Sequence, residues 1–255
     1  MMENSQFYLW LPSNSSMDVF PSNTLTEYQV RLPHSIVLSG DCEVALTEIQ
    51  YPRSWNNVHG GFWNRFYIQS GTSAANPITV VGVPPGHYKT TQSVLDAVNK
   101  EVQKNEQYKT DVSFTYDELS RKVTIHLQNN NHIVFNEIGL MLGFPSGELI
   151  EKTSTAKNEF DLDFGFHNLF VYCDIVQPQT VGDAQVPLLR VVPVEGNDGD
   201  RITRSFMSPQ YLPVSKKEFD AMEVNIKRDT GKKVPFESGR VLLTLHFRRA
   251  SPFFH

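Results

Sequence analysis

Residues Phe166 to Gly196 read FHNLFVYCDIVQPQTVGDAQVPLLRVVPVEG, and the fold class follows from them. Leu169, Val171, Cys173 and Ile175 fall on one face of an extended strand. Phe170, Tyr172 and Val176 fall on the other, interrupted by Asp174. A strand apolar on both faces is expected to be buried on both, as in the middle of a sandwich. The run breaks at Gln177 to Asp183, which has the residues of a turn or loop. That loop is expected to be fixed by hydrogen bonds, with Gly182 at positive φ. A second apolar run, Val186 to Val194, contains Pro187 and Pro193. Proline cannot donate to a ladder, so these positions belong at a sheet edge or bulge. Arg190 lies in the same run and is expected to pair with a carboxylate, within the subunit or across an interface.

On the C-terminal side, Met222, Val224 and Ile226 alternate with Glu223, Asn225 and Lys227. Val241, Leu243, Leu245 and Phe247 alternate with Leu242, Thr244 and His246, and Arg248 and Arg249 end that strand. Phe206 to Val214, broken by Pro209 and Pro213, suits an edge. On the N-terminal side, Phe7 to Leu11 is either a first strand or an arm that orders against a neighbouring subunit. Tyr28, Val30 and Leu32 alternate with polar neighbours, and Glu43 to Tyr51 is a further strand. These flanks predict one antiparallel sandwich built from 1–60 and 165–255, with Val30, Leu46, Val171, Ile175, Val224, Leu243 and Leu245 in its core.

Residues 62–150 have a different character. Leu95, Val98 and Val102 repeat at helical spacing behind Thr90, Thr91 or Ser93 as cap. Val112 to Tyr116 and Val123 to Leu127 alternate on either side of a polar turn, as a hairpin does. The segment is expected to be an inserted α+β unit of helix plus hairpin, followed by a linker over 151–164.

Composition sets limits. Forty per cent hydrophobic and 20% charged residues support a packed core over 255 residues. No apolar run approaches the ~20 residues of a membrane helix, and no signal peptide is expected, so membrane insertion is not expected. Cys42 and Cys173 are too few for a zinc site or disulfide scaffold and are expected to be small buried hydrophobes. The formal charge of −5 argues against specific nucleic-acid binding. Residues 201–255 nevertheless hold eleven Lys and Arg against five Asp and Glu, a local +6, while the remainder holds 12 against 23, a local −11. The two parts either compensate within one fold or give a basic face that meets an acidic neighbour or packaged nucleic acid.

Motifs for chemistry are sparse. The sequence has no HExxH, no GxSxG and no phosphate-cradling glycine loop; Gly143 to Gly147, GFPSG, has the wrong spacing. The acids of Gly196 to Asp200 lack the spacing of a calcium loop. A carboxylate pair of the glycosidase kind leaves no sequence trace. No enzyme activity, cofactor or metal is expected.

The strings VYCDIV-x-PQ-x-VGD, PLLRVVPV, YLPVS and GKKVPFESGRVLLTLHFRR resemble the minor capsid, or penton, protein of Polinton (Maverick) elements and adintovirus-like viruses. NTLTEYQVRLP, EVALTEIQYPRSWNNV, PPGHY and LGFP resemble the same family, so the likeness spans nearly the whole chain. It implies a jelly-roll virion protein, made in the host cell, forming pentamers at capsid vertices and contacting the major capsid protein, with 62–150 as a decoration. The subunit-interface residues expected on that basis are Phe7, Tyr8, Trp10, Arg190, Arg248, Arg249, Phe253 and Phe254. An alternative is a receptor- or glycan-binding vertex or fibre protein, with Trp55, Phe62 and Trp63 as ligand contacts. A third is a host gene derived from such an element.

Overall fold

The computed structural model describes residues 6–71, 76–163 and 166–250. The chain is mainly β and divides into two compact units, Met1–Trp55 with Phe166–His255, and Asn56–Gly165. The first unit begins with β1 (Gln6–Pro12), β2 (Glu27–Val37) and β3 (Cys42–Pro52). The second contains β4 (Arg65–Ser70), β5 (Ile78–Gly82), α1 (Thr91–Gln103), β6 (Val112–Asp117), β7 (Lys122–Leu127), β8 (Asn131–Phe135), α2 (Ile138–Met141), β9 (Leu149–Ile150) and β10 (Ser154–Thr155). The first unit resumes with β11 (Asn168–Cys173), β12 (Gln179–Val181), β13 (Ala184–Val186), β14 (Leu188–Pro193), β15 (Arg201–Ser205), β16 (Leu212–Pro213), β17 (Glu218–Lys227) and β18 (Leu242–Arg249).

Two antiparallel sheets form the sandwich of the first unit, beside the small β12-β13 pair. One runs β1-β18-β3-β15, with β16 also on β3; the other runs β14-β11-β17-β2. Successive strands change sheet repeatedly, and the first strand pairs with the last, as in a jelly roll. The inward residues of both sheets share one core, including Val30, Leu46, Val171, Ile175, Val224, Leu243 and Leu245. Alternation explains this directly, because residues two apart on a strand share a face.

Two local expectations need correction, and a third, the hydrogen-bonded loop with Gly182 at positive φ, gains detail. β11 buries only Leu169, Val171 and Cys173, while Phe170 and Tyr172 are half-exposed on the outer face. Lys227 lies over the Tyr172 ring at 5.5 Å, so a lysine covers the apolar surface where a second layer was expected. Cys42 is half-exposed at the start of β3; only Cys173 is buried. The loop after β11 is more ordered than a turn: β12 and β13 form a small hairpin. Gly182 has φ 62 at the first central position, the place glycine takes in a II′ turn.

In the second unit one sheet runs β5-β4-β8-β9 and another β10-β7-β6. Thr90 caps α1: its hydroxyl accepts from the Ser93 N–H at 3.1 Å, and the Ser93 hydroxyl lies 3.2 Å from the Thr90 N–H. The helix buries Val94, Leu95, Val98 and Val102. Asn99 ties it to β6 by exchanging two hydrogen bonds with the Phe114 backbone. Residues 151–163 are not a linker. Ser154 and Thr155 pair with β7, and Ala156 is buried with its N–H donating to Val123 O at 2.8 Å. A two-residue strand is too short to show periodicity, so no pattern marked it. Gly143, after α2, sits at φ 85, and a Cβ there would lie 2.3 Å from Asn158 O.

Candidate functional site

The site is built on β1, an edge strand of its sheet. Alternation sends Phe7, Leu9 and Leu11 inward and leaves Tyr8 49% and Trp10 60% exposed. The register sets Tyr8 opposite His246 and Trp10 opposite Thr244 on β18. The Tyr8 ring stacks on His246 at 4.4 Å, and its centroid lies 6.2 Å from that of Trp10.

The ladder continues across the sheet. The Tyr211 hydroxyl is 2.7 Å from His246 Nδ1, with the two rings edge to face. The Arg248 guanidinium lies over Tyr211 at 3.4 Å and pairs with Glu43 at 3.0 Å. Burial, and after it the Arg248 charge, push the His246 imidazole below its usual pKa. The result is an outward band, Trp10–Tyr8–His246–Tyr211–Arg248, open at its aromatic end and closed by an ion pair at the other. Its solvent-facing part is the aromatic area of Trp10 and Tyr8, held in place by the ring contacts behind it.

No known family profile and no curated protein matches the sequence. A solved structure does resemble the chain. It is the crystal structure of the SeMet-labelled mavirus penton protein, at TM-score 0.49 and 13% identity, covering 95% of this chain and 99% of that one.

The other expected residues are dispersed. Phe7 stacks on Phe247 inside the sandwich at 4.7 Å, so it belongs to the core and not to the outer surface. Arg249 is exposed at the end of β18, opposite Cys42. Phe253 and Phe254 lie outside the described residues. Arg190 has no carboxylate partner among the described residues; its guanidinium lies over Phe206 at 3.7 Å. Trp55 is only 5% exposed and packs on Phe166 and Phe236 in the core, so it cannot serve as a ligand contact there. Phe62 is exposed, and Trp63 lines a shallow pocket with Val58, Ile138 and Met141. Sequence reasoning missed Tyr211 and His246 as members of the band. His246 sits at an outward position of an alternating strand, which was the available signal; Tyr211 lies in a proline-broken segment that gives none.

Proposed function

We propose that this chain is a structural virion protein, a penton-type minor capsid protein that closes into a pentameric ring at capsid vertices and contacts a major capsid protein. Most of the strings that resemble that family lie in the sandwich, where NTLTEYQVRLP runs into β2, EVALTEIQYP lies in β3, VYC ends β11 and LLTLHFRR is β18; PPGHY and LGFP lie in the second unit. The observation that carries assembly is the band on β1 and β18, where Trp10 and Tyr8 stand exposed on a sheet edge. Aromatic side chains of this kind are what the centre of a subunit interface buries, and an edge strand offers unpaired backbone groups beside them. A closed ring repeats one heterologous contact, so one such band per chain, meeting an unlike patch on the next copy, serves every interface of the ring.

Native mass spectrometry and sedimentation of the purified chain, alone and with the major capsid protein, test the proposal. A discrete ring that binds the capsid protein is the expected result. A strict monomer at high concentration in both conditions overturns it.

A receptor- or glycan-binding vertex or fibre protein is the second reading. It is favoured by Phe62 at 60% exposed, together with an outward apolar row in which Val80, Tyr67, Val134 and Leu149 are register neighbours across β5, β4, β8 and β9. Glycan or cell-surface binding abolished by Phe62→Ala would support it; binding unchanged in that variant would remove it.

A further inference from the structure

Arg190 and Asp220 are two charged groups without an ion-pair partner among the described residues. Arg190 is half-buried on β14, an outer strand of its sheet. One face of its guanidinium is covered by Phe206, and its Nη1 is sealed from solvent with no hydrogen-bond partner. The Arg204 charge disfavours the Arg190 cation further, after burial, and Arg204 is itself paired with Glu195. A desolvated cation beside a second cation is costly unless an acid arrives.

Asp220 sits on β17 at the other side of the same sheet. The β17–β2 register jumps from Phe219↔Ile36 to Ala221↔Arg31, so four residues of β2, including Pro33, stand opposite Asp220 alone. β2 bows away there, and the exposed Asp220 carboxylate has no hydrogen bond or ion pair among the described residues. It borders a groove of about 260 Å³ lined by Asp174, Glu218 and Glu223, with Lys216 held on Asp174. The groove is therefore net negative.

These groups cannot meet within one chain. Arg190 is level with Val171, and Val171 with Ile226. Asp220 is six residues further along β17, roughly 20 Å at ~3.4 Å per residue. Both ends of a salt bridge are present, at separate places on the chain, and neither has an ion-pair partner among the described residues. We infer that Arg190 of one copy docks on Asp220 in the acidic groove of the next copy, making the head-to-tail contact of the assembly. This deepens the ring proposal and rests on it. Pairing of two unlike patches is the heterologous geometry that cyclic closure requires, and a guanidinium already flattened on Phe206 is preorganised for a carboxylate.

The test compares assembly of the wild type with Arg190→Met, Asp220→Asn, the two reversals Arg190→Asp and Asp220→Arg, and the exchange variant carrying both reversals. Each single change should weaken association roughly tenfold or more, and the exchange should recover most of it. Thermal melts check that the monomers fold. Asp220→Asn, at an exposed site, reads the contact even if an Arg190 variant is unstable. Singles that assemble like the wild type overturn the contact while the ring stands. A wild type that never assembles overturns both.

Discussion

Asp229 holds the start of β11 in place. Its carboxylate accepts from the backbone N–H groups of His167 and Asn168, each at 2.9 Å, and from Asn168 Nδ2 at 2.8 Å. Burial alone would raise its pKa, but these donors together hold it below the usual carboxylate value. Asp229→Ala leaves two backbone donors unsatisfied and should cost about 1–3 kcal/mol, read as a lower denaturant midpoint. A depressed carboxyl pKa adds stability above the unfolded value near 3.9, lost as pH falls through the folded value. His246 acts in a different window. Its pKa is depressed first by burial of the ring and then by the Arg248 charge. The unfolded chain then binds the proton more readily, so stability should fall as pH drops below about 6.5 towards the folded pKa. The midpoint loss between pH 7 and pH 5 should be smaller in His246→Gln than in wild type; an equal loss would mean the imidazole is not its source. Neither role was legible beforehand, because both depend on partners far away in sequence.

Strand alternation carried far at the level of elements. β2, β17 and β18 show a period of two, and their inward residues meet in one core. Leu243 is fully buried between β1 and β3, so Leu243→Ala should cost about 2–5 kcal/mol in equilibrium unfolding. A change within error of zero would place it outside the core. The pattern misled at β11 because an apolar residue does not have to be buried. Phe170 and Tyr172 remain half-exposed, and a cation on Tyr172 compensates part of that exposure. It was silent for β9, β10 and β16, which are two residues long and exist only through tertiary pairing. At Arg190 the sequence suggested a cation paired with a carboxylate, but its stacking on Phe206 could not be inferred from a segment with no periodicity.

For the whole molecule, the two kinds of surface in unit one predict different responses to solvent. The band of Trp10 and Tyr8 is apolar area, whereas Arg190 and Asp220 are charges. Burying the exposed part of a tryptophan removes on the order of 100 Å² from water, about 2–3 kcal/mol at ~25 cal/mol/Å². Trp10→Ala should therefore weaken ring association by about 2 kcal/mol or more, near thirtyfold, with Tyr8→Ala close behind. Folding should change little, since Trp10 is 60% exposed and the strand keeps Phe7, Leu9 and Leu11 inward. Salt separates the contributions. Raising ionic strength from ~0.15 to ~1 M shortens the screening length from ~8 to ~3 Å and should weaken the charge contact while leaving the aromatic one. A ring whose affinity falls with salt in the wild type, but not in Asp220→Asn, assigns the salt-sensitive part to that carboxylate. Trp10→Ala should keep the wild-type salt slope at a lower affinity. If Trp10→Ala assembles as tightly as wild type by sedimentation, the aromatic band lies outside the contact, and the β1 edge must face something other than the next subunit.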